Sequence, residues 1–227
     1  MTTIRAAMLA AATALAATGA LANPPRGLMA DFSEGTQGWE GPQGIGGATA
    51  VDPDVGHPAP ALHTRFEDFG IEFANSRPQW VAGLHRPGAV EIGLRTNTYS
   101  VFFFSREVTR TLVVEIRDHH NPPDGYPYVA VWAPIGTLDA ANAGWKEMRL
   151  RIPDTGATAL PAGWGGYGAE DPDTFAPMLP PGRTFADVLA NADEIAFTTV
   201  VPGWLFAMAS FDVAIDNVYL RRVRQQP

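Results

Sequence analysis

Proline and glycine set the first limit on this fold. They occur 20 and 23 times in 227 residues, scattered as punctuation between short apolar runs. Proline lacks an amide donor and clashes with the helical turn before it, and glycine weakens any regular element it interrupts. Short alternating runs separated by such residues are the pattern of an all-β chain. Runs at 27–32, 89–96, 99–104, 110–118, 128–132, 145–152, 194–200 and 211–220 read as strands. Val90, Ile92 and Leu94 share one face of theirs. Leu112, Val114 and Ile116 oppose Val113, Glu115 and Arg117, and Met148, Leu150 and Ile152 alternate with Arg149 and Arg151. The spacing is that of a β-sandwich. One helix is expected after Thr184, an N-cap with Asp187 three residues on, and its apolar stripe is Phe185, Val188 and Leu189. Residues 154–182 have no period and read as a long Gly/Pro-rich loop, a length associated with function or mobility.

Residues 1–22 read as an export signal. Arg5 is the positive start, residues 6–21 are small and apolar, and Ala20-Leu21-Ala22 fits the small-x-small cleavage rule. The short Ala-rich form is of the bacterial kind. The expected mature chain is 23–227, a single sandwich domain placed in the periplasm or outside the cell. No later segment reaches the roughly 18 consecutive apolar residues of a membrane span. There is no cysteine, so thiol catalysis and Cys-ligated metals are excluded, and the core must hold without disulfides. Net charge is −8, and loss of Arg5 makes it −9. An acidic chain is a poor nucleic-acid ligand, because phosphate binding needs basic patches.

Four segments carry a family resemblance. FADVLANADEIAFTTVVPG and the later AIDNVYL resemble the end of the laminin B (domain IV) module, and GWKEMRLRIP occupies the place of a preceding strand of that module. DFSEGTQGW resembles the start of secreted galactose-binding-like domains, which pair F-x-x-G-x-x-G-W with a terminal D-N-V-x-L. The resemblance implies a jelly-roll sandwich used outside the cell for adhesion or glycan binding, without catalysis. It also implies a structural Ca²⁺ shared by the first and last strands, which maps to Asp31 and Asp216, joined by Asp212. Calcium takes such carboxylate and carbonyl oxygens.

Sugar rings pack their C–H faces on aromatic rings, while planar Arg and carboxylate groups bond the hydroxyls. Trp164, Tyr167, Tyr126 and Tyr128, with Arg183, are therefore candidate ligand-binding residues; the alternative is that these rings pin the long loop to the sandwich. Trp39, Trp80, Trp132 and Trp145 lie in or beside strands and are expected in the core. His119 and His120 are adjacent, so a regular strand would point them to opposite faces; a polar turn is expected there. Signatures of catalysis are sparse. Glu115 and Asp118 are three apart and face opposite sides of a strand, unlike the same-face carboxylates of jelly-roll glycosidases. No Q-x-H, G-x-S-x-G, H-E-x-x-H or phosphate loop occurs. The expectation is an exported binding module for a glycan or extracellular matrix component. A polysaccharide-active hydrolase or lyase on the same scaffold, and a structural cell-envelope protein, are the alternatives.

Overall fold

A computed structural model of the chain describes residues 27–204 and 207–223. The expected export signal, 1–22, lies outside the described residues. In chain order the elements are β1 (Gly27–Ala30), β2 (Gly47–Asp52), β3 (Ala61–Asp68), β4 (Glu72–Asn75), helix α1 (Pro78–Val81), β5 (Val90–Phe103), β6 (Arg106–Glu107), β7 (Arg110–Asp118), β8 (Val129–Leu138), β9 (Lys146–Ile152), β10 (Gly165–Tyr167), β11 (Ala169–Glu170), β12 (Pro177–Met178), helix α2 (Phe185–Asn191), β13 (Glu194–Thr198) and β14 (Ala209–Arg222).

All pairings between these strands are antiparallel. β3, β14, β5 and β9 lie side by side in the first sheet, extended by β2 beyond β3. β1 continues the line of β3 along the same edge of β14. The second sheet runs β10-β8-β7-β13-β4. Strand orders β3-β14-β5-β9 and β4-β13-β7-β8, with the chain passing between the sheets as it does, are a jelly roll.

The core fills the space between the sheets. Val90, Ile92, Leu94, Val213 and Ile215 come from the first, and Phe73, Leu112, Val114, Ile116, Val131 and Phe197 from the second, all buried. Each such side chain contributes about 1.5–3 kcal/mol by leaving water. One end is plugged by Trp39, which lies 5.0 Å from Trp80 and 5.5 Å from Phe197, centroid to centroid. α2 buries Phe185, Val188 and Leu189 and packs against β7 and β8. It begins with a full capping box: the Thr184 hydroxyl accepts from Asp187 N at 3.1 Å, and the Asp187 carboxylate accepts from Thr184 N at 2.9 Å.

Five features differ from the sequence reading. Helix α1 adds to the one helix expected, and β10, β11 and β12 fall within 154–182, expected as a loop. The two runs at 89–96 and 99–104 are one strand, because β14 pairs with β5 across both, with a bulge where Tyr99 has no partner. β2, β3 and β4 occupy a stretch with no flagged strand, and β3 carries His63, Thr64, Arg65 and Glu67 among its eight residues. Trp132 and Trp145 are only partly buried and are not core residues. Trp132 faces away from the core, on the outer side of the second sheet.

Candidate functional site

Strand register alone places the site. Directly paired residues of antiparallel strands point to the same side of a sheet. On the outer side of the second sheet, one row therefore reads Ala74, Ala196, Glu115, Trp132 and Gly165 across β4, β13, β7, β8 and β10. The next row reads Glu194, Arg117, Ala130 and Tyr167. Ala130 and Ala196 in these rows are fully buried, covered by the larger groups around them.

Arg117 is the centre of this face. Its Nε donates to Glu115 Oε2 at 3.0 Å and its Nη2 to the same oxygen at 2.6 Å. Nη1 donates to Glu72 Oε1 at 2.9 Å and to Glu194 Oε1 at 2.8 Å, and Nη2 also bonds Glu72 Oε2. A guanidinium has five N–H donors, so all of them are occupied. Burial works against the Arg117 charge, but the hydrogen bond to Glu72 and the charges of Glu115 and Glu72 outweigh it and push its pKa up. Glu115 is 2% exposed. Burial raises its carboxyl above the ordinary 4.5, against the pull of Arg117, and its Oε1 has no hydrogen-bond partner.

Aromatic rings border the network. The Arg117 guanidinium carbon lies 4.6 Å from the Tyr128 ring centroid. Tyr128 is 5.1 Å from Tyr167, which is 5.3 Å from Tyr126. Burial pushes the Tyr128 and Tyr167 hydroxyls up, with the Glu115 charge adding to it, so both stay neutral donors. Along β8 the Trp132 ring lies against Gly165, where a Cβ would come within 2.4 Å of the indole. Trp132 Nε1 donates to Gly166 O at 3.3 Å. Beyond Trp132 the face runs into a groove of about 370 Å³ whose apolar walls are Trp132, Pro134, Val201 and Trp204.

Of the ligand-binding residues expected from the sequence, Tyr126, Tyr128 and Tyr167 come together here. Trp164 and Arg183 do not. Trp164 turns to the inner side and packs edge-on against Phe185 at 5.2 Å. Arg183 is ion-paired to the buried Asp118 at the end of β7, which ties the segment before α2 to the sheet. Both contacts hold the segment before α2 against the sandwich. Trp132, Trp204, Glu72, Glu115, Arg117 and Glu194 are not among the binding residues expected from the sequence, which places Trp132 in the core. The outward alternation of Glu115 and Arg117 was visible in the sequence; their convergence with Glu72 and Glu194 depends on strand order, which it does not display.

The expected metal residues divide into two networks. Asp212 accepts from His63 Nε2 at 2.6 Å and from Arg65 Nε at 3.3 Å, and the other His63 nitrogen meets Asp52 at 3.0 Å. Asp216 accepts from His57 N and Asn217 N, each at 2.6 Å. Burial raises its carboxyl, and the charge of Asp31 raises it further. Asp31 itself accepts from Ser33 N at 3.1 Å and the Ser33 hydroxyl at 2.7 Å. Among the described residues no group of three or more His, Asp or Glu side chains is arranged to hold a metal ion. His119 and His120 stand at the turn after β7, where His119 Nδ1 meets Asp193 at 2.7 Å and His120 Nδ1 meets Asp118 at 3.1 Å.

No protein-family model matches the sequence, and no curated protein matches it. The laminin B resemblance therefore rests on its sequence segments alone. Several solved structures superpose at low similarity. A xylan-binding domain from CBM 22 is 11% identical with a TM-score of 0.45, over 90% of this chain and 100% of that one. An exo-beta-agarase is 12% identical with a TM-score of 0.47, over 88% of this chain and 26% of that one. A carbohydrate esterase from a Shiga toxin-encoding bacteriophage is 14% identical with a TM-score of 0.44, over 87% of this chain and 98% of that one. At those values the likenesses assign no function.

Proposed function

We propose that this chain is an exported, non-catalytic carbohydrate-binding module that receives a glycan on the outer face of its second sheet. The observation that carries the reading is the arrangement of that face. Tyr126, Tyr128 and Tyr167 at one end and Trp132 with Trp204 at the other border the Arg117 network, whose outermost acids are Glu72 and Glu194. Aromatic surface for pyranose C–H faces and fixed polar groups for hydroxyls are the two requirements of sugar recognition. Arg117, with every donor occupied, holds the glutamates in place and does not itself reach the ligand. Glu72 and Glu194, the more exposed acids, keep acceptor capacity for sugar hydroxyls.

The same geometry favours binding over hydrolysis. A carboxylic acid catalyst must reach the glycosidic oxygen; Glu115 is sealed beneath Arg117, and Glu72 and Glu194 are each tied to its Nη1. Export rests on residues 1–22, and the protein recovered outside the cytoplasm should begin at Asn23. Calcium belongs to the proposal as a structural ion at Asp31 and Asp216, where a divalent cation would cancel their repulsion. With two carboxylates it would need backbone carbonyls as well, and Asp212 is held elsewhere.

The test is affinity electrophoresis or calorimetry against soluble neutral polysaccharides, with Trp132→Ala and Tyr167→Ala as variants. Each is expected to weaken binding by about tenfold or more, in the range of loss for an aromatic anchor, with the thermal midpoint little changed. Binding that survives both substitutions would remove this face from the account.

A further inference from the structure

Six of the ten large hydrophobic side chains exposed among the described residues sit at one pole of the sandwich: Phe69, Phe102, Phe104, Val200, Trp204 and Met208. The topology explains their meeting. β3 ends at Asp68, opposite Ala209 at the start of β14, and Ser210 lies opposite Phe102 near the end of β5. The β3–β4 connection, the β5–β6 hairpin and the β13–β14 connection therefore emerge together. They also touch: Thr199 N donates to Ile71 O at 2.9 Å, and a Cβ on Gly70 would lie 2.6 Å from Val200 Cγ2. Arg110 ties the third segment to β7 through Ala207 O at 3.3 Å.

Exposed apolar surface costs free energy in water, and a contiguous patch of it marks an interaction site. Phe104 is 89% exposed and Trp204 is 70% exposed, so these rings project from their loops. We propose that this pole seats in the interfacial layer of a zwitterionic phospholipid bilayer. Three observations select that occupant. The side chains are separate prongs on different connections, which a deformable lipid layer accommodates without matching pockets. Phenylalanine, tryptophan and methionine supply the apolar bulk, and the two aromatics favour the headgroup boundary. The charged residues bordering the pole show no positive excess, Arg106 and Arg110 against Glu67, Asp68 and Glu107, in a chain of net charge −8. Contact would be driven by apolar burial, and an anionic surface would repel the body of the protein.

Co-sedimentation with phosphatidylcholine vesicles tests this, using the chain from Asn23 so that the apolar residues 6–21 do not partition on their own account. Wild type is expected to sediment with the vesicles equally at low and high salt, and less when phosphatidylglycerol is added. Phe69→Ser and Phe104→Ser should each lower the partition coefficient about tenfold while leaving the thermal midpoint and glycan affinity unchanged, since neither residue lines the proposed glycan face. Failure of wild type to sediment, or sedimentation unaffected by both substitutions, would overturn the proposal. So would a dimer, seen by analytical ultracentrifugation, that both substitutions dissolve in a protein indifferent to vesicles; the pole would then be a contact between copies.

Discussion

Glu115 lies in the middle strand of the second sheet, almost wholly out of water, with Arg117 as its hydrogen-bonding partner. Burial raises its carboxyl above the ordinary 4.5. The folded chain therefore holds this proton to higher pH than the unfolded chain does. The stability that follows is complete below the unfolded value and is lost as pH rises through the folded value. Glutamine at this position cannot lose a proton. Urea unfolding of Glu115→Gln beside wild type should show the difference moving in the variant's favour from about pH 4 to about pH 8. A constant difference over that range would mean that Glu115 titrates alike in both states. Arg117 keeps Glu72 and Glu194 as partners in the variant, so the guanidinium is not stranded without a countercharge.

The elements that sequence periodicity revealed are those with one wet face or a clear cap. β9 shows its alternation because Glu147, Arg149 and Arg151 are exposed while Met148 and Ile152 are buried. α2 announces itself through Thr184 and Asp187. Removing the cap with Thr184→Ala should cost about 1 kcal/mol in a denaturant melt, and an unchanged midpoint would mean that packing of Phe185, Val188 and Leu189 alone holds the helix. β7 gave a half-true signal. Glu115 and Arg117 read as an outer, solvated face, and they are outer but buried, because their own ion network and the tyrosines cover them. β2 and β3 stayed hidden since their polar groups are paired, Thr49 with Thr64 at 2.7 Å and His63 with Asp52 and with Asp212 of β14. Trp132 is expected in the core because a tryptophan in a strand usually is; its register opposite Glu115 on β7 shows that it takes the outer side.

At the scale of the whole molecule, the two ends of the described chain meet: Gly27 pairs with Arg221 and Ala30 with Val218. Asp31 follows the first of these strands and Asp216 lies within the last, so a calcium ion there would clasp the junction. The thermal midpoint should rise with added CaCl₂ and fall back with EDTA, by the mass-action stabilisation of a ligand that binds the native state alone. An unmoved midpoint would leave Asp216 supported by its hydrogen bonds to His57 and Asn217. The same two conditions should leave the proposed glycan face untouched, since none of its residues belongs to this junction.

β14 lies between β5 on one side and β3 with β1 on the other, and it is the last described strand to be synthesised. The first sheet therefore lacks its middle until nearly all the described chain has been made. Local pairing such as β7 with β8 can form early, but the sandwich closes only through contacts far apart in sequence, which is the slow class of folding. Under the proposed export this delay would serve the chain: the polypeptide would stay threadable during passage, and cooperative closure would wait for the final strand.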